Sequence, residues 1–256
     1  MVQIKRRAAL VTGAARRIGR AIAIDLAAHG WMVGVHYHRS RAEAEEVVGA
    51  IRRNGGTAVS LQANLMIEES ANDLIPTAVQ ALGPLTCLVN NASLFERDEA
   101  LSATRDSWDR HIETNLRAPF VLMQDFARQL PDGEMGAVVN LLDQRVWNLT
   151  PHFVSYTVSK AALWTLTRTM AMALAPRIRV NAIGPGPTLP SERQSEEQFA
   201  AQWQGVPLQR QTTPQEICDT VRFILGASAM TGQMIALDGG EHLGWVQPSR
   251  GSIPEE

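Results

Sequence analysis

The sequence predicts an α/β protein, a doubly wound parallel sheet of about seven strands with helices on both faces. Three observations predict it. Apolar runs of strand length alternate with helical patterns from one end of the chain to the other. A glycine-bearing turn follows the first such run and opens the first helix. No internal repeat, low-complexity segment or linker divides the 256 residues, a length that suits one large domain or two small ones.

The elements follow in order. AALVT (8–12) reads as the first strand and the next dozen residues as a helix. WMVGVHY (31–37) is the second strand, followed by an Ala/Glu-rich helix from Arg41 to about Arg53. TAVSLQA (57–63) is the third, followed by a helix from about Glu68 to Leu82. LTCLVNNA (85–92) is the fourth, and GAVVNLL (136–142) the fifth after a long helix. Tyr156 and Lys160 open a helix running to about Ala175, and IRVNAIG (178–184) and MIALDGG (234–240) complete the strands. The stretch from Pro185 to Pro207 holds four prolines among polar, helix-like residues and reads as a mobile lid. The expected organisation is one domain over 1–246, with the lid near 186–207, and an irregular tail over 247–256.

Bulk properties exclude several classes. A 45% hydrophobic, 20% charged chain fits a globular domain, and a net charge of -2 gives no general reason to expect a nucleic-acid partner. No stretch approaches the roughly 20 apolar residues of a membrane span. The basic start resembles a signal peptide, but its apolar run is only Ala8–Val11 before Thr12-Gly13, and Arg16-Arg17 follow, so no signal is expected. Cys87 and Cys218 lie in an apolar run and a helical pattern, as reduced core residues of a cytosolic protein do.

TGAARRIG, residues 12 to 19, lets backbone approach a pyrophosphate at a helix N-terminus. Arg17 takes the middle glycine's place, so the motif alone is weak. The second strand ends Tyr37-His38-Arg39-Ser40 without the acid that would hold a ribose 2′-OH. A guanidinium and a hydroxyl there suit a 2′-phosphate, which Arg17 can also reach, so NADPH is expected over NADH. His36 and His38 form no metal-ligand set, and no metal is expected.

Tyr156 and Lys160 share one helix face, where an ammonium beside a phenol makes a proton-transfer device. Enzymes with this pair commonly carry a serine about a dozen residues upstream to donate to a substrate carbonyl; here that place holds Leu141, Leu142 and Asp143.

TGAARRIG, LVNNAS, Asn115 in ETNLRAPF, the Tyr156/Lys160 pair and VNAIGPGP resemble, in order, the signature of the short-chain dehydrogenase/reductase family over residues 8 to about 240. The resemblance implies a Rossmann-like domain, a nicotinamide cofactor and a homotetramer. VHYHRSRAEAE, the arginine in the glycine turn, NNASLF and Asp143 further resemble pteridine reductases and the bacterial dihydromonapterin and dihydrofolate reductases of this fold. Asn64 departs from the aspartate common at the adenine, and the lid shows no match.

By that resemblance the cofactor residues are Gly13, Arg17, Ile18, Gly19, His38, Arg39, Ser40, Asn64, Leu65, Asn91, Ala92, Ser93, Tyr156, Lys160, Pro185, Gly186 and Thr188. The substrate residues are Ser93, Phe95, Asp143 and Tyr156, with Phe95 stacking a pterin, and the catalytic residues are Asp143, Tyr156, Lys160 and Asn115. Asn115 resembles the residue that holds a structural water in the family's proton relay.

An ionised aspartate only accepts hydrogen bonds, so it repels the alkoxide that ketone reduction builds up. Reducing a C=N bond forms no alkoxide, and a pterin offers N–H donors to a carboxylate. The expected activity is NADPH-dependent reduction of a pterin or dihydropterin, with reduction of a carbonyl or another imine as the alternative and a non-catalytic NADPH-binding subunit as a third reading. Gln144 and Arg145 are left between substrate and surface roles. Trp147, His152, Trp203 and His242 are left between the pocket and structural roles, the latter favoured.

Overall fold

The computed structural model describes residues 7–191 and 193–244. The tail (247–256) and the basic start ahead of Arg7 lie outside the described residues. Seven parallel strands form one sheet in the order β3-β2-β1-β4-β5-β6-β7. They are β1 (Arg7–Val11), β2 (Trp31–Tyr37), β3 (Ala58–Gln62), β4 (Cys87–Asn90), β5 (Gly136–Leu141), β6 (Ile178–Pro185) and β7 (Met234–Leu237). The chain winds outward from β1 to β3, returns to β4 beside β1, and winds the other way. The switch point between β1 and β4 opens a crevice at the carboxyl ends of the strands, where ligands bind in such folds.

Alternate strand residues feed two cores. Ala9 and Val11 face α1 (Arg17–Ala28), α2 (Arg41–Arg53) and α9 (Pro214–Gly226), packing against Ile22, Leu26, Val47, Ile51 and Ile217. Ala8 and Leu10 face the opposite layer, which includes Leu74, Ile75, Leu122, Phe126 and Met170. Those residues belong to α4 (Leu74–Leu82), α6 (Ala118–Gln129) and α7 (Val154–Ala173). Cys87 and Cys218 are free and buried, and burial pushes both thiols up to about 12.

Two expected helices are broken. The helix over 68–82 is α3 (Glu68–Asn72) followed by α4, with Pro76 in the first turn of α4, where its missing N–H costs least. The long helix before β5 is α5 (Arg105–Ile112), a wide π turn (Glu113–Arg117) and α6. Pro119 cannot donate to the carbonyl four residues back, that of Asn115, and the wide turn accommodates this. The expected strands 85–92 and 234–240 are trimmed to Cys87–Asn90 and Met234–Leu237. The stretch expected to form a lid carries one short helix, α8 (Glu196–Gln204), started by a Ser195/Gln198 capping box. Among the described residues, no helix is long and apolar enough to cross a membrane.

Candidate active site

The glycine turn is fixed from three sides. Thr12 Oγ1 accepts from the backbone N–H groups of Asn91 (2.9 Å) and Ala92 (3.0 Å), and Asn91 Nδ2 donates to Thr12 O at 2.8 Å. Gly13 adopts a left-handed φ of 62° and donates its N–H to His36 Nδ1 at 3.0 Å. His36 Nε2 therefore carries the proton and donates to Ala63 O at 3.2 Å. Gly19 is a close approach: a Cβ there would sit 2.3 Å from Gly13 O and 2.4 Å from Asn91 Nδ2.

Burial pushes the His36 ring from 6.5 down to about 4, against the pull of the Ala63 carbonyl. The unfolded chain therefore binds a proton that the folded chain refuses between these values. Stability from His36 is complete above about pH 6.5 and falls as pH drops toward 4, by up to about 3 kcal/mol. Denaturant melts at pH 7 and pH 4.5 should show this loss, and His36→Gln should reduce the pH dependence by about that amount. An unchanged slope in the variant contradicts the assignment.

A groove of about 630 Å³ runs from this turn across the end of β2. It brings together Gly13, Arg17, Ile18, Gly19, His38, Arg39, Ser40, Asn64, Leu65, Asn91, Ala92 and Ser93. Arg16 is ion-paired with Glu43, so the first acid after β2 is engaged. Arg39 makes no ion pair among the described residues, and burial, then the Arg39 charge, holds His38 below its ordinary value. Asn64 Oδ1 accepts from Met66 N at 3.2 Å.

A cavity of about 290 Å³ adjoins the groove, sharing Arg17, Ile18, Asn91 and Ser93 with it. It is lined by Phe95, Asp143, Tyr156, Lys160, Pro185, Gly186 and Thr188, among others. Arg17 spans the boundary at φ 53° and donates to Pro190 O (2.8 Å) and Leu189 O (3.1 Å), tying the glycine turn to the lid. Thr188 Oγ1 donates to Gly186 O at 3.0 Å.

The chemistry concentrates where α7 meets the turn after β5. Tyr156 donates its hydroxyl to Asp143 Oδ2 at 2.9 Å, and Arg145 N donates to Asp143 Oδ1 at 2.8 Å. Lys160 Nζ donates to Leu141 O at 2.9 Å, and burial brings it down to about 8, with the Asp143 charge opposing that fall. Asn115 lies behind the cavity. Its Nδ2 donates to Leu94 O (2.9 Å) and Ser159 Oγ (3.0 Å), while its Oδ1 accepts from Leu94 N at 2.8 Å. Its amide thus pins the Ser93–Phe95 loop to α7.

The Phe95 ring is stacked on Phe153 at 4.6 Å and 10°, and meets Tyr156 edge-on at 4.6 Å. Phe153 covers one face of Phe95, and the Arg193 guanidinium lies over the same ring at 5.5 Å while donating to Phe95 O at 3.0 Å. Gln144 and Arg145, which the sequence leaves open, are both buried and line the cavity. The Arg145 guanidinium lies 5.2 to 5.9 Å from the rings of Phe95, Phe153 and Tyr156. Glu241, Phe199, Gln194 and Gln202 also line the cavity, and no motif in the sequence points to them. The first follows β7, and the others sit on a lid whose pattern carries no site signal.

Trp147, His152, Trp203 and His242 do not line it. His152 pairs with Glu99, His242 with Asp238, and Trp147 packs on Trp164 and His242. Among the described residues, no three His, Cys, Asp or Glu side chains form a metal-binding group.

A family model described as Enoyl-(Acyl carrier protein) reductase matches residues 13–242. The chain is 33% identical over 246 residues to a 3-oxoacyl-[acyl-carrier-protein] reductase of Synechocystis, covering 94% of this chain and 98% of that protein. It is 34% identical over 242 residues to the FabG enzyme of the same name from Staphylococcus epidermidis, covering 93% and 99%. Among solved structures it resembles the FolM alternative dihydrofolate reductase 1 of Brucella canis complexed with NADP, at 50% identity and a TM-score of 0.92, covering 95% of this chain and 97% of that one. It also resembles a short-chain dehydrogenase/reductase of Serratia marcescens, at 31% identity and a TM-score of 0.85, covering 91% and 97%. With sheet order, glycine turn and family match in agreement, the chain belongs to the short-chain dehydrogenase/reductase family and is an oxidoreductase of that type.

Proposed function

We propose that the protein is an NADPH-dependent reductase of dihydropterins, including the dihydrofolate type. The hydrogen bond from Tyr156 to Asp143 carries this reading. It puts a carboxylate, in place of a hydroxyl donor, beside the proton-transfer group. The 50% identity to the Brucella enzyme complexed with NADP supports it.

The groove suits a dinucleotide phosphate because the glycine turn is packed tightly at a helix start: a Cβ at Gly19 would collide with Gly13 O and Asn91 Nδ2, so only glycine keeps the turn's shape. Arg39 and Ser40, at the start of α2, would hold the 2′-phosphate, and the glycine turn the pyrophosphate. Gly19→Ala must displace the turn. We expect NADPH affinity to fall at least about tenfold and Tm by several degrees, since overpacking costs about 1–3 kcal/mol. Fluorescence titration and a thermal melt check both, and wild-type affinity in the variant contradicts the fit.

Bound NADPH supplies the hydride for a ring carbon. Tyr156 supplies the proton to the adjacent ring nitrogen. Its bond to Asp143 keeps the phenol protonated, because a phenolate facing a carboxylate is repelled. Asp143 accepts from substrate N–H groups and orients Tyr156. Lys160 holds the nicotinamide ribose while charged. Because burial lowers Lys160 to about 8, its charge is present below that pH and lost above it. We expect kcat to decline above about pH 8, and Lys160→Arg, which stays charged, to move that limb upward even if its maximum is lower. An alkaline limb that stays in place in the arginine variant contradicts the assignment.

Carbonyl reduction is the second reading, favoured by the relatives named 3-oxoacyl-[acyl-carrier-protein] reductases. NADPH oxidation at 340 nm with dihydropterins and dihydrofolate, beside 3-oxoacyl thioesters and simple ketones, decides between them. We expect saturable turnover of the pterins; turnover of carbonyls alone overturns the proposal.

A further inference from the structure

Helix α7 carries both Tyr156 and Lys160, yet its sequence gives it no cap. A helix start leaves backbone N–H groups without partners, usually met by Ser, Thr, Asp or Asn at the N-cap. Here the N-cap is Phe153, at a left-handed φ of 57°, with its ring committed to Phe95. The cap arrives from 57 residues upstream. Asp98 Oδ1 accepts from Ser155 N at 3.0 Å, Asp98 Oδ2 accepts from Ser155 Oγ at 2.5 Å, and Asp98 O accepts from Val154 N at 3.3 Å.

The same carboxylate accepts from Ser107 Oγ at 3.0 Å. Ser107 belongs to the Thr104/Ser107 capping box of α5, so one acid joins the starts of two helices. Asp98 is only 5% exposed. Burial alone would raise its proton affinity, but the bonds from Ser155 and Ser107, and nearby His111, hold it below the usual carboxylate range. A carboxylate at a helix N-terminus is also favoured by the helix dipole.

We propose that Asp98 is a positioning residue for the reaction: by capping α7 it sets where Tyr156 meets Asp143. Tyr156 is the residue directly after Ser155, and its partner Asp143 lies on a separate turn after β5. The intervening segment joins the two turns through Arg145, whose Nη1 donates to Thr150 Oγ1 at 3.0 Å, while Asp98 fixes the first turn of α7 from outside that segment, against α5. The position of α7's first turn therefore decides whether the 2.9 Å hydrogen bond forms. Asp98 does not line the cavity, so it acts through Tyr156 and not on substrate.

This inference rests on Tyr156 being the proton donor, though not on the substrate being a pterin. The test therefore uses whichever substrate class the wild-type enzyme turns over, so a failed pterin assay does not decide it. Asp98→Ala and Asp98→Asn are compared with wild type for kcat, substrate KM, NADPH Kd and Tm. Misplacing a reacting group by about 1 Å costs on the order of 10²-fold in rate, so Asp98→Ala should lower kcat about 10- to 100-fold. NADPH Kd should stay within about twofold, and Asp98→Asn, which keeps an oxygen acceptor for Ser155 N–H, should restore kcat to within about fivefold of wild type.

A merely structural role would lower Tm without changing kcat at temperatures where the variant is folded, and that result overturns the proposal. So does an equal loss in both variants. Should Asp98→Ala not fold, Ser107→Ala removes the bond that orients the Asp98 carboxylate toward the start of α7 and so loosens the cap without deleting it. A folded Ser107→Ala enzyme should lose about threefold to tenfold in kcat, and wild-type kcat there counts against the proposal.

Discussion

Asp143→Ser is expected to lower kcat/KM for a dihydropterin by about 10²- to 10³-fold, with NADPH affinity almost unchanged. The wild-type carboxylate receives Tyr156 on one oxygen and the Arg145 amide on the other, an arrangement one short hydroxyl cannot reproduce. A serine also loses the negative charge that favours a protonated phenol and attracts ring N–H donors. It does donate to carbonyls, so activity toward ketones should rise or newly appear. Asp143→Asn separates charge from shape, since it keeps one acceptor oxygen; we expect it to lose nearly as much pterin turnover as serine. Steady-state kinetics on purified variants check this, and pterin turnover unchanged in Asp143→Ser removes the proposed role.

Tyr156→Phe is the second large effect. Removing a positioned acid typically costs 10²- to 10⁴-fold, and we expect kcat to fall about 10³-fold. The ring contact with Phe95 and the Lys160 bond to Leu141 O involve no phenolic oxygen, so packing and NADPH affinity should survive. Loss of kcat with a retained NADPH titration is the expected pair of results. A variant within about fivefold of wild type would mean that another group donates the proton.

Much of the scaffold is legible in the sequence because local signals there agree with tertiary demands. The second strand and the helix after it keep the same bounds, Trp31–Tyr37 and Arg41–Arg53, as their apolar run and helical spacing predict. Where a single residue bears on the backbone, the broad pattern misleads: Pro119 opens α6 directly after the wide turn at Glu113–Arg117, and Pro76 marks a second helix start inside 68–82. Both prolines are visible in the sequence and carry that signal once its mechanism is applied.

The candidate site divides the same way. Residues on short motifs (the glycine turn, the end of β2, the Tyr156/Lys160 pair) come together as their spacing implies. Asp143 meets Tyr156 because the turn after β5 and the start of α7 converge at the carboxyl end of the sheet. What is not legible depends on partners distant in sequence. Phe95 gains Phe153 on one face, Arg145 is buried among three rings, and Asp98 caps a helix that begins far downstream. No local period encodes these contacts, and the charge of Arg145 and Asp98 argues for surface positions until the fold supplies their partners.

The central claim is that hydride goes to a ring carbon beside nitrogen. A 7,8-dihydropterin bearing a side-chain ketone offers both kinds of bond to one active site. Its reduction with 4-deuterated NADPH, followed by NMR and mass analysis of the product, reads the position of the label. The account predicts deuterium on the ring carbon of a tetrahydropterin, with the ketone intact. Deuterium on a new side-chain carbinol, with the ring unreduced, would contradict it.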